Sequence, residues 1–238
     1  ANQNFRFAFS DLRNEGIIPN SGMDRLNLTL SMNSRFGKKF SVNAKMMYSH
    51  EDVKNRPRIS DFPMNAIHRM YLFPNNLNID WYRGDPDKLG AIPPDQDPVS
   101  LQIWDLSPGE EMPASDVDFI WDQNPWWIAY QNEQNDIRDR LISSAQLQYD
   151  FNDWLWIRGR GGMDWYTLKY QEITPQGTRY QRGGSMDESE RRVREVNLEW
   201  MAGMNDTYGP ISVTAFIGGK SQHHKGTMVL HSNLGNTN

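Results

Sequence analysis

The stretch from Arg138 to Tyr166, RDRLISSAQLQYDFNDWLWIRGRGGMDWY, decides the fold, because it reads as two long β-strands joined by a minimal turn. Its first half places Leu141, Ser143, Ala145, Leu147 and Tyr149 on one face and Arg140, Ser144, Gln146, Gln148 and Asp150 on the other. Ile142 is the exception. After a turn at Asn152 and Asp153 the period of two resumes, with Leu155, Ile157, Gly159, Gly161, Met163 and Trp165 against Arg158, Arg160, Gly162 and Asp164. The alternation lasts about a dozen residues per strand, about twice the usual strand length.

Two media account for such length. In a soluble sheet the apolar face covers a core, and the aromatics are ordinary strand formers. In a membrane barrel the apolar face meets lipid and the polar face lines a wet lumen, which takes roughly 9–11 tilted residues per crossing and an aromatic girdle at each interface. Tyr149, Phe151, Trp154 and Trp156 crowd the turn end, and Trp165 and Tyr166 mark the other. Both girdles are therefore expected on this hairpin.

Hydropathy does not separate the two. The hydrophobic fraction is 37% and the mean hydropathy -0.76, but a barrel alternates polar with apolar residues and carries hydrophilic loops. The net charge of -5 argues against nucleic acid as a partner. No cysteine is present, which excludes disulfides and thiol chemistry. The first residues, Asn2 to Ser10, lack the basic and apolar regions of a signal peptide.

Further hairpins of the same build flank the first. Phe5, Phe7 and Phe9 alternate with polar or small residues. Leu26, Leu28, Leu30, Met32 and Phe36 lead through Gly37 to Lys39 into Phe40, Val42, Ala44, Met46 and Tyr48. Val196, Leu198, Trp200, Ala202 and Met204 lead through Asp206 to Pro210 into Ile211, Val213, Ala215, Ile217 and Gly219. The short connections alternate with long ones, expected at Asp11 to Gly22, His50 to Ile137 and Lys169 to Arg194. Short turns at one end and long loops at the other are the layout of an outer-membrane barrel. The predicted fold is all-β, a partial transmembrane antiparallel β-barrel of about seven strands of a larger barrel, with long extracellular loops. The longest loop, about 50–137, is rich in tryptophan and reads as a folded excursion, with a short helix expected within Ser60 to Met70.

Several segments, in order, carry a family resemblance: Gly16-Ile17-Ile18-Pro19-Asn20-Ser21-Gly22, Phe36-Gly37-Lys38-Lys39, Val53-Lys54-Asn55-Arg56-Pro57, Asn124-Pro125-Trp126-Trp127, Arg138-Asp139-Arg140-Leu141-Ile142, Tyr149 to Leu155, and Gly218-Gly219-Lys220. The chain resembles the SusC/RagA family of TonB-dependent outer-membrane transporters of Bacteroidetes. The resemblance implies that residues 1–238 are an internal segment of one TonB-dependent receptor β-barrel domain, with the plug domain, TonB box and signal peptide absent. It also implies import of oligosaccharides or peptides across the Gram-negative outer membrane, with a SusD-like surface lipoprotein, TonB and outer-membrane lipid as partners.

Among candidate site residues, Trp104, Trp121, Trp126 and Trp127 offer flat aromatic faces for a sugar ring or for a lid protein; the alternative is that they form the small core that lets so long a loop fold. Lys45, Arg158, Arg160 and Arg35 are expected to face the lumen, as solvated wall residues or as grips for an anionic substrate or plug carboxylate. The acidic pairs Asp85 with Asp87, Asp95 with Asp97, and Asp116 with Asp118 lack the Gly and terminal Glu of a calcium loop, so no metal is expected. No nucleophile and base, phosphate-cradling loop or spaced carboxylate pair marks an enzyme, and no cofactor is implied. A soluble all-β glycan-binding module, and a barrel serving another envelope complex, are the competing readings.

Overall fold

The computed structural model describes residues 2–60, 62, 64–72, 125–176, 178, 181 and 183–235. Seven antiparallel strands form one sheet in sequence order: β1 Asn2–Glu15, β2 Gly22–Phe36, β3 Phe40–Lys54, β4 Glu133–Asp150, β5 Leu155–Thr174, β6 Ser185–Tyr208 and β7 Ile211–Leu234. Among the described residues two short helices, α1 Ala66–Leu72 and α2 Pro125–Tyr130, belong to the connection between β3 and β4.

The register runs without a bulge through every pair of strands, so the alternation seen along each strand becomes a face of the whole sheet. One row reads Phe7, Leu30, Met46, Ser143, Met163 and Val196 from β1 to β6. A second reads Val42, Leu147, Gly159, Trp200 and Gly219 from β3 to β7. The opposite face carries Asn33, Asn43, Gln146, Arg160, Glu199 and Lys220 in one row. Ile142, the exception in the sequence, stays on this polar face and pairs with Met47.

Local chemistry sets the short turns. Gly37 and Gly209 have φ of 64° and 60°, the left-handed region where glycine carries no Cβ penalty. In the β4–β5 turn, the Asn152 side-chain oxygen accepts from the backbone N–H of Trp154 at 3.2 Å and of Leu155 at 2.7 Å. Successive turns are staggered: Phe40 pairs with Tyr149, next to the end of β4, whereas Leu155 pairs with Met204, four residues short of the end of β6 at Tyr208. A stagger of this kind accompanies tilted strands.

The long connections are shorter than the sequence suggests. β1 continues to Glu15, β3 to Lys54, β5 to Thr174, and β6 begins at Ser185, so the loops shrink to 16–21, 55–132 and 175–184. Beyond the apolar band polar residues stand on both faces of these strands with only scattered apolar ones such as Val53 and Leu168, and the ladder continues where the period of two has vanished. Likewise β7 runs on past Gly219 to Leu234. The expected helix within Ser60 to Met70 is α1, displaced to Ala66–Leu72.

The girdles need correction too. Trp156 pairs with Asp150 and Gly203, and Tyr166 with Arg140 and Val193, which puts both on the polar face. On the apolar face the turn-end belt consists of Phe36 and Phe40, whose ring centroids are 6.0 Å apart, and Tyr149, with Phe151 at 5.0 Å edge to face against it. The far belt is Tyr48 and Trp165, both paired with Leu141. Ile157 to Trp165 is nine residues on β5, within the length of one tilted crossing.

Little of the sheet is buried. The buried hydrophobic residues among those described are Ile18, Val53, Met64, Ala66, Ile128, Ala129 and Val193, all toward the long-loop end. Phe7, Leu147, Leu198 and Trp200, in the middle of the apolar face, are 65%, 49%, 57% and 51% exposed.

Candidate functional site: the polar face and the loop collar

On the polar face three arginines, Arg140, Arg158 and Arg160, are steadied by side chains of a neighbouring strand. Arg160 donates to the Gln146 side-chain oxygen at 2.8 and 3.2 Å. Arg140 grips Asp164 with two hydrogen bonds, 3.0 and 2.6 Å, the fork geometry that suits guanidinium and carboxylate. The Arg158 guanidinium stands 5.3 Å from the Trp156 ring centroid and donates to the Met201 sulfur at 3.2 Å. Its Nε is buried without a hydrogen-bond partner among the described residues. Lys45 lies in register between Ser31 and Ser144. The four residues expected to face a lumen, Lys45, Arg158, Arg160 and Arg35, therefore share one face, and Arg35 lies 3.6 Å from Asp150.

At the long-loop end three connections are stitched into a collar. Asn55 and Gln134 exchange two hydrogen bonds: the Asn55 N–H donates to the Gln134 carbonyl at 2.7 Å, and the Gln134 N–H donates to the Asn55 side-chain oxygen at 2.8 Å. The Asn55 amide donates to the Asn20 carbonyl at 2.9 Å, and Asn20 in turn donates to the Ala129 carbonyl at 3.1 Å. Arg56 pairs with Asp136 at 3.2 Å. Arg58 donates to Glu172 and lies 5.4 Å over the Phe62 ring. The Tyr170 hydroxyl also donates to Glu172. Burial, and then that carboxylate, push the Tyr170 hydroxyl up to about 12. Beneath these polar ties Ile18, Met64, Ala66, Ile128 and Ala129 form a small apolar cluster, with Phe62 and Tyr130 against it.

Of the four tryptophans singled out in the sequence, Trp126 and Trp127 lie on α2 in this collar. Trp127 donates its indole N–H to the Thr178 hydroxyl at 3.1 Å, tying α2 to the β5–β6 loop. Trp126 stacks with Tyr130 at 6.2 Å. Trp104 and Trp121, and the acidic pairs between Asp85 and Asp118, lie outside the described residues. Among the described residues no group of three or more His, Asp or Glu side chains is placed to hold a metal. The Arg58, Tyr170 and Glu172 cluster escapes sequence reading, because Arg58 lies more than a hundred residues from the other two and no spacing rule joins them.

The sequence matches no family model and no curated protein. The fold is similar to solved structures. Against the RagAB peptide transporter the TM-score is 0.66 at 14% identity, over 98% of this chain and 24% of that one. Against the same importer in its open-open state it is 0.64 at 12% identity, over 97% and 23%. Against BauA, the ferric preacinetobactin receptor of Acinetobacter baumannii, it is 0.51 at 11% identity, over 96% and 27%. At these identities the likeness is one of fold. The chain spans about a quarter of the length of these structures, and its open seven-stranded antiparallel sheet is a partial β-barrel.

Proposed function

We propose that residues 1–238 are one section of barrel wall in an outer-membrane, TonB-dependent importer of the SusC/RagA kind, taking up oligosaccharides or peptides with a SusD-like lipoprotein as lid. The observation that carries this reading is the uncovered apolar face. Apolar residues occupy one face from Phe7 on β1 to Trp200 on β6, and Val213, Ala215 and Ile217 continue it on β7, yet the buried apolar residues sit elsewhere, at the long-loop end. A soluble protein exposing so large a patch would aggregate or seek a partner, whereas lipid covers it at no cost. The aromatic belts, the nine-residue band between them, and the alternation of short and long connections agree with that medium. The first and last strands each keep one unpaired edge, which further strands of a closed barrel would satisfy.

In this reading the long loops and their collar lie outside the cell, where Trp104, Trp121, Trp126 and Trp127 contact the lid or the substrate. Lys45, Arg158 and Arg160 face the lumen. The likeness to the RagAB peptide transporter favours a peptide cargo. The test is to map this sequence by peptide mass in fractionated membranes of the source cells, and to compare growth of a deletion strain on peptides and on oligosaccharides. The expected result is recovery of peptides around Asp150 to Arg158 from an outer-membrane chain much larger than 27.7 kDa, with growth lost on peptides. Recovery from a soluble protein would overturn the proposal in favour of a soluble glycan-binding module.

A further inference from the structure

Along the far aromatic belt one row of the apolar face changes character. From β1 to β5 it reads Phe9, Leu28, Tyr48, Leu141 and Trp165, and on β6 and β7 it ends in Arg194 and Lys225. Both cations are exposed. They stand directly opposite each other, an arrangement that costs stability when nothing anionic lies between. On β5, β6 and β7 no carboxylate stands beside either on this face, in the same row or the next. Met163, Val196 and His223 lie toward the short turns, and Thr167, Arg192 and Thr227 toward the loops. Neither cation makes an ion pair among the described residues. Arg192 and, one row further, Lys169 extend the patch, and the carboxylate there, Glu190, accepts from Arg192. On β1 to β4 those two rows carry Asp11, Asp24, Asp52 and Asp139 with Arg13 and His50, so the basic patch is confined to β5, β6 and β7.

Height and depth identify what the patch fits. Trp165 is in register with Arg194, and tryptophan at a membrane interface sits at the headgroup level. Arg194 and Lys225 therefore meet the membrane at the height of the lipid phosphates, which long cationic side chains reach while their stems stay against apolar surface. They belong to the long-loop end, which the barrel reading places in the outer leaflet. Toward the midplane on the same face lies a hollow of about 540 Å³, lined by Leu147, Gly159, Gly161, Leu198, Trp200 and Gly219. Nothing lies within 4 Å of a Cβ at Gly159, so part of its floor is bare backbone. Leu198 is four residues from Arg194 on β6, about 13 Å along the strand, inside the outer half of a hydrocarbon core roughly 30 Å thick.

We infer that Arg194 and Lys225, supported by Arg192 and Lys169, bind a phosphate of lipid A, the phosphorylated glycolipid of the outer leaflet, with one of its acyl chains in the hollow. The inference rests on the barrel reading above. A phosphate between the two cations replaces their repulsion by charge-assisted hydrogen bonds to both.

The test uses the full polypeptide purified from outer membranes, delipidated in mild detergent and titrated with phosphorylated lipid A or with its dephosphorylated form, the bound lipid being counted by native mass spectrometry. The expected result is that the dephosphorylated form binds about thirtyfold more weakly, and that R194Q/K225Q lowers retention of the phosphorylated form to the same level. Equal retention of the two forms by the parent protein would overturn the inference without recourse to a variant, and is the outcome if a carboxylate of an adjoining strand already neutralises the pair. Retention of phosphatidylglycerol as tight as that of lipid A would overturn the assignment to lipid A. Gly161→Leu, which fills the hollow and leaves the cations in place, should weaken retention of the phosphorylated form, and unchanged retention would overturn the acyl seat. All of these failures leave the transport proposal standing. Absence of the sequence from the outer membrane would overturn both.

Discussion

The indole of Trp156 lies across Gly203, its direct partner on β6, so closely that a Cβ at position 203 would come within 2.4 Å of the ring. Glycine here makes room for a large aromatic on the polar face, and that aromatic forms the shelf under Arg158. Gly203→Val should displace the indole and cost about 1–3 kcal/mol, as overpacking does. Gly159→Ala should be tolerated, because nothing lies within 4 Å of a Cβ there. Tryptophan emission and the temperature at which the assembled form is lost on gels should separate the two variants.

The two faces should differ in their tolerance of charge. Leu147→Arg or Leu28→Arg places a cation on the apolar face, at about 2–4 kcal/mol in mid-membrane. Gln146→Arg adds one beside Arg160 on the polar face, where it loses the Arg160 hydrogen bonds and sets like charges opposite each other, at about 0.2–1 kcal/mol, and should still assemble. The amount of folded protein in outer-membrane fractions reads the difference.

Arg58 anchors the longest loop. Arg58→Ala leaves Glu172 and Tyr170 partly buried without their cationic partner, a loss of about 1–3 kcal/mol. The sheet, held by its own ladders, should persist. Limited proteolysis should therefore cut within 55–132 sooner in the variant while β2 and β3 stay intact.

Tyr170 should titrate late. Its pKa is about 12 in the folded protein against 10.0 for a free tyrosine. The folded state thus holds its proton more tightly, so the associated stability is full below pH 10 and is lost as the pH rises toward 12. Ultraviolet absorbance of tyrosinate, taken as the difference between the parent and Tyr170→Phe, should show no ionisation at pH 10. A Tyr170 that ionises with the exposed tyrosines would contradict the collar geometry.

The fold was legible where one face is apolar. From Leu141 to Tyr149 and from Leu155 to Trp165 the period of two gave strand, direction and face, and the three short turns carried their own signals in Gly37, Asn152 and Gly209. Where both faces are solvated the signal disappears, and the charged run from Asp187 to Arg192 read as loop although it lies in β6. Trp156 and Tyr166 lie at the expected ends but on the polar face, because aromatic clustering marks height and only parity marks side. The polar-face cations followed from parity alone. The facing of Arg194 and Lys225 required the register between strands, and the collar required contacts between residues as distant as Asn20 and Ala129.

The central claim, that one face of this sheet meets lipid and the other a wet lumen, is tested most directly by single-cysteine scanning of β4 in the full protein. These residues contain no native cysteine, so spin labels at positions 141 to 148 report one site at a time. The account predicts that collisions with oxygen, which concentrates in lipid, peak at Leu141, Ser143, Ala145 and Leu147. Collisions with a water-soluble nickel chelate should peak at Ile142, Ser144, Gln146 and Gln148. Equal access of the chelate to both sets, with no alternation, would contradict it.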